Sequence, residues 1–142
     1  MRALALAGGV GCAVVGGVFF AFSTFVLPAL RRLPDADAAR AMRSVNELAV
    51  RPPLVLALFG TAAAVTVLGV LAVRRGEVRL VAGCAAYLLG VVVVTVVANV
   101  PLNDRLARGQ NGFAEFARAW AGWNHVRTVA GVGAAVLLLT RA

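Results

Sequence analysis

The sequence predicts an all-α polytopic membrane protein: an up-down-up-down bundle of four transmembrane helices with short interfacial helices in its first and third connections. Three observations predict it. The composition is too apolar for a soluble chain, the apolar residues fall into four runs, and small residues recur at helical spacing. Hydrophobic residues make up 61%, charged residues 14%, and mean hydropathy is +0.89. Soluble domains average about 45–50% apolar and about 25% charged. A soluble chain of 142 residues has too little interior to bury such an excess.

Crossing about 30 Å of hydrocarbon takes about 20 helical residues. The first run spans 3–29 and is closed by Pro28, Arg31 and Arg32. The second spans 53–73 and ends at Arg74 and Arg75. The third spans 79–100, ending at Asn99 and Pro101. Only RRGEVR separates the second run from the third, so these helices should be antiparallel neighbours. The last apolar run, Thr128–Thr140, has 13 residues. At 1.5 Å per residue it covers only about 20 Å, too short to cross. A fourth span must therefore run over 120–140, drawing Trp123, Asn124, His125 and Arg127 toward the membrane. A re-entrant tail is the alternative.

Two connections carry helical patterns. Residues 35–49 place Ala39, Met42 and Val45 on one face, with Asp35 or Asp37 available as a cap. Residues 112–119 begin an aromatic stripe of Phe113, Phe116, Trp120 and Trp123. That stripe suits either interface anchoring or the wall of a site. The whole chain, 1–142, reads as one membrane domain.

Gly8, Cys12 and Gly16 recur every four positions, as do Gly9, Ala13, Gly17 and Ala21. Such stripes let helix backbones approach closely in lipid. Cys12 and Cys84 read as small packing residues, since no Cys-x-x-Cys pair suggests redox chemistry. The first run continues well past Cys12, which predicts a retained helix rather than a cleaved signal peptide. All 14 basic residues are arginine, a usage that points to GC-rich bacterial coding. The net charge of +8 does not indicate nucleic acid, because the arginines sit at the ends of apolar runs. Arg31, Arg32, Arg40, Arg43, Arg51, Arg105, Arg108 and Arg118 fall on one face; Arg2, Arg74, Arg75, Arg79 and Arg141 fall on the other. Both faces are basic, so orientation and oligomeric state, a homo-oligomer included, stay open.

Alternating spans bring unusual residues to one membrane face. Ser23, Phe25 and Pro28 end the first span; Asn46, Arg51, Pro52 and Pro53 precede the second. NVPLN, with Asn99, Pro101 and Asn103, ends the third, and WNHVR opens the fourth. Arginine at a helix centre costs about 2.5–3.5 kcal/mol to insert. Arg127 therefore needs either a snorkelling path to the interface or a partner: Asn99, Asn103 and carbonyls freed by Pro101, or beyond them Asp104 and Glu115. Trp120, Asn124 and Arg127 share one helical face. The cluster reads either as a structural register device or as a pocket for an amphipathic aromatic molecule. His125, the only histidine, lacks the companions a metal needs, and no cofactor motif occurs.

GVFFAFSTFVLPALRRLP, NVPLN and WNHVRT together resemble the anthrone oxygenase-like family of small four-helix membrane proteins, over nearly the whole chain. The resemblance implies oxidation of anthrones to anthraquinones with molecular oxygen as co-substrate. An anthrone loses a weakly acidic methylene proton to give an electron-rich anion that oxygen attacks without a cofactor. On that chemistry His125 is the expected base and Arg127 the oxyanion stabiliser. Asn46, Asn99, Asn103 and Asn124 would contact polar groups of the substrate, while Trp120 and Trp123 stack on its rings. His125 and Arg127, two residues apart, point about 200° apart on a helix, which sets them against sharing one pocket. The alternative is a non-enzymatic subunit that binds lipid, quinone or a partner protein.

Overall fold

A computed structural model describes residues 1–140; Arg141, assigned above to one face, lies outside them. The described residues form five helices and no strand: α1 (Arg2–Leu30), α2 (Asp35–Ala49), α3 (Leu54–Arg75), α4 (Val78–Ala107) and α5 (Phe113–Leu139). By length and composition α1, α3 and α4 can cross a membrane, so the chain is an integral membrane protein. At 27 residues, α5 is about 40 Å long. Glu115, Arg118, Asn124, His125 and Arg127 make it the least apolar of the four.

The four long helices pack in the order α1–α3–α4–α5, with α5 returning against α1. The α3–α4 turn works because Gly76 takes a left-handed φ of 69°, which carries no Cβ penalty in glycine. The Glu77 N–H then donates to the Ala72 carbonyl at 2.9 Å. The α1–α5 crossing is a backbone contact. A Cβ on Gly131 would lie 2.9 Å from Gly16 Cα, and one on Gly16 would lie 3.0 Å from the Val132 nitrogen. Gly8, Cys12 and Gly16 all face this core. The second small-residue stripe fares differently. Gly9 packs on Leu139, but Ala13 and Gly17 face outward, and a Cβ on Gly17 would meet nothing from another element within 4 Å.

α1 ends at Leu30, within one residue of its expected end, with Pro28 in its last turn. α4 overruns its expected end and continues past Pro101 to Ala107. Proline removes an N–H and presses on the carbonyl four residues back. Those carbonyls belong to Thr24 and Val97, each inside a wide π turn, Phe22–Val26 and Thr95–Asn99. The wide turn takes up the misfit and re-aims the side chains of its own residues. Consequently Asn99 and Asn103 lie one turn apart on one face of α4, not in a loop.

Two further expectations change. The short helix over 112–119 is not separate, because nothing between Phe113 and Leu139 breaks α5. Asp35 caps α5 rather than its own helix: its carboxylate accepts the Phe113 and Ala114 N–H groups, each at 3.2 Å. Gly112 has no side chain to cap these orphan donors, and a carboxylate suits a helix N-terminus. This bond, with Arg43 Nε on the Leu106 carbonyl at 3.0 Å, clamps α2 across the ends of α4 and α5. Beneath it lies a second core of Leu27, Ala38, Met42, Leu106, Phe113, Phe116 and Trp120. The first core, around Val15, Val65, Leu68, Cys84, Tyr87 and Leu138, fills the remaining length and holds both cysteines.

Candidate functional site

α3 packs on α4 as far as Val93 and little beyond. Where they part, a cavity of about 180 Å³ opens beneath α2. Phe19 and Phe22 from α1, Asn46 from α2, Thr95 and Asn103 from α4, and Trp120 and Arg127 from α5 supply its polar and aromatic wall. Val50, Phe59, Val96 and Val100 rim it and face outward.

Arg127 is 4% exposed. Its Nη2 donates to Asn124 Oδ1 at 2.8 Å and its Nη1 to Thr95 Oγ1 at 3.3 Å. The guanidinium carbon lies 4.1 Å from the Phe19 ring centre and 5.0 Å from that of Trp120. Nε has no partner, and neither has Asn46 Nδ2, a second donor on the same wall. No carboxylate answers the charge: the one ion pair among the described residues is Arg40–Asp37. Burying an ion carries a penalty of several kcal/mol. Two aromatic faces return about 0.5–2 kcal/mol each. The site is therefore short of an acceptor, and an oxygen carrying negative charge would supply it.

The asparagines take other duties than those expected. Asn103 Oδ1 accepts from Trp120 Nε1 at 3.0 Å, and Asn99 Nδ2 donates to the Trp120 carbonyl over a long 3.4 Å. Together they fix Trp120 rather than Arg127. Asn103 and Asn46 line the cavity, whereas Asn99 and Asn124 are buried just behind it. Trp120 also packs on Phe22, with ring centres 5.6 Å apart. The aromatic stripe divides: Phe113 and Phe116 are core, Trp120 is cavity wall, and Trp123 turns outward. Trp123 stands 46% exposed, in an external groove with Val97, Pro101 and Arg105.

His125 also faces outward and does not line the cavity. Yet it is joined to Arg127. His125 Nδ1 lies 2.8 Å from Ser23 Oγ, which accepts from Asn124 Nδ2 at 2.8 Å. Sequence reasoning placed Ser23 at this end but gave it no role, and it missed Phe19, Phe22 and Thr95. Their one sequence signal is the Pro28 and Pro101 that follow the π turns by two residues.

A larger hollow of about 570 Å³ lies at the opposite end, among Arg2, Arg75, Glu77 and Arg79. It contains none of the buried polar atoms left without a partner. Among the described residues no three of His, Cys, Asp and Glu come together as metal ligands.

Fold and site define a small all-α integral membrane protein that holds an unpaired arginine against an aromatic cavity. A family model described as Anthrone oxygenase matches residues 52–137, more than half the chain. The protein belongs to the anthrone oxygenase family. The match is narrower than the near-whole-chain resemblance. It takes in Thr95, Asn99, Asn103, Trp120, Trp123, Asn124, His125 and Arg127, while Phe19, Ser23 and Asn46 precede it. No curated protein and no solved structure matches the chain.

Proposed function

We propose that this is a four-span protein of a bacterial cell membrane that oxidises anthrone-like polycyclic aromatics to quinones with molecular oxygen and no cofactor. The supporting observation is Arg127: a buried guanidinium with an unpartnered Nε on an aromatic wall. A planar ketone placed there gives up its weakly acidic methylene proton to water at the cavity mouth, and its oxygen gains negative charge opposite Arg127. Stabilising an oxyanion in a water-poor site is worth about 2.7–4 kcal/mol per donor. The carbanion gives one electron to oxygen, the resulting pair combines at that carbon as a peroxide anion, and the released proton returns to it to give a hydroperoxide. Loss of the second hydrogen with cleavage of the O–O bond releases water and leaves the new carbonyl. One anthrone and one oxygen thus give one anthraquinone and one water.

Size sets the pose. An apolar cavity of about 150 Å³ accepts benzene. The half-open cavity of about 180 Å³ therefore takes one ring edge-first, with the remaining rings in the mouth between α3 and α4. Asn46 would read a second oxygen, and Phe19, Phe22 and Trp120 would stack. The fourth span in this reading is α5, long enough to cross and packed along α1.

A second reading is binding of a quinone or phenol without chemistry. It is favoured by a wall that carries no imidazole or carboxylate to take a proton. Oxygen uptake by proteoliposomes supplied with anthrone separates the two. Acceleration over protein-free vesicles supports the oxygenase. Saturable quenching of tryptophan fluorescence by anthrone, with no faster uptake, supports the binder.

A further inference from the structure

We infer that Ser23 and His125 are positioning residues that hold Arg127 through the amide of Asn124. The inference rests on the reading of Arg127 as the group that meets the ligand's oxygen. An asparagine amide has a donor end and an acceptor end of nearly the same shape, so its surroundings decide which faces where. Asn124 Nδ2 donates to the Phe19 carbonyl at 2.8 Å and to Ser23 Oγ at 2.8 Å. Its Oδ1 is thereby turned to Arg127 Nη2, also at 2.8 Å. Reversed, the amide would set oxygen against the Phe19 carbonyl and NH2 against a guanidinium that can only donate.

Ser23 joins the Phe19 carbonyl in holding the donor end in place, and its own proton must go elsewhere. Thr128 Oγ1, at 3.2 Å, already donates to the Asn124 carbonyl at 2.9 Å and offers Ser23 an acceptor. The shorter contact is His125 Nδ1 at 2.8 Å, which accepts when the ring carries its proton on Nε2. The chain then reads His125, Ser23, Asn124, Arg127, running from the outer face of α5 to the cavity wall. A side-chain amide does not pass protons along such a chain. His125 is therefore linked to Arg127 by orientation, not by proton transfer. With Nη1 and Nη2 held, Arg127 Nε stays free and fixed.

The test has a ligand-free arm and a turnover arm. In detergent micelles, nitrogen-detected spectra of the arginine side chains should show Arg127 with resolved, slowly exchanging Nη protons, assigned by their absence in R127K. S23A should collapse them to an averaged signal, whereas S23T should keep them. H125A should broaden them, and H125N should restore them, because Asn places an amide atom where Nδ1 sits but cannot act as a base. In the turnover arm, S23A and H125A should each lower kcat/KM for anthrone about tenfold, the order expected for one hydrogen bond. The double variant should be no worse than S23A, and H125N should recover most of the loss. Unchanged Arg127 signals in S23A would overturn the inference. An H125N enzyme as slow as H125A would assign His125 to proton abstraction instead. If the signals respond as expected but wild-type protein neither binds nor oxidises anthrone, positioning stands and the proposed function falls.

Discussion

Two adjoining regions of the molecule solve opposite problems. Around Gly16 and Gly131 the helices touch backbone to backbone, next to a continuous apolar core. Around Arg127 α3 and α4 part, the turns widen, and buried polar atoms are left without partners. The first region is optimised for packing in lipid, where small residues allow dispersion contact over long stretches. The second departs from that optimum, as functional sites commonly do. The lesson is that stability and activity should separate by position along the bundle.

The largest test of that separation is Arg127→Met. Losing one oxyanion donor lowers kcat by about 10²–10³. Replacing a poorly compensated buried ion with an apolar side chain is often neutral or stabilising by about 1–4 kcal/mol. Oxygen uptake should therefore collapse while the thermal midpoint in detergent holds or rises. A variant that loses both together would make Arg127 a structural brace and erase the contrast.

Gly131→Ala should do the reverse. Its Cβ would meet Gly16 Cα at 2.9 Å, and backbone cannot step aside as a side-chain tip can. Overpacking of this kind costs about 1–3 kcal/mol. The thermal midpoint should fall, while kcat per folded molecule, scored against bound anthrone, should stay within about twofold. A smaller effect is expected where α2 is clamped to the start of α5. Asp35→Ala removes the cap of α5, worth about 1 kcal/mol. Amide exchange should rise in the first turn of α5 and in α2, but not in α3. Uniform exchange across all helices would refute the local clamp.

Most of the fold was legible because apolar runs bounded by arginine and proline report membrane helices directly. The boundaries were less so. Pro101 reads as a stop, yet a π turn over Val97 lets α4 run on to Ala107. Arg127, Asn124 and Trp120 were visible because their spacing puts them on one face of one helix. Ser23 and Thr95 were not, since their approach depends on how three helices cross and no local pattern encodes that. Asp35 shows the same limit: an acid before a helical pattern reads as that helix's cap, and only the tertiary fold hands it to α5.

The smallest expected effect returns to the packed region. Gly17 follows Gly16 in sequence and belongs to a stripe of equal regularity, but a Cβ there would point into open space. Gly17→Ala should shift stability by under about 0.5 kcal/mol, or raise it slightly, since alanine is the better helix former. Gly16→Ala, one residue away, should lose about 1–3 kcal/mol. Measured side by side, the pair decides whether α1 meets α5 through the face assigned here. If both substitutions were equally harmful, the outward face of α1 would also be packed, by a second copy of the chain. Equal harmlessness would mean that the α1–α5 contact is looser than backbone against backbone.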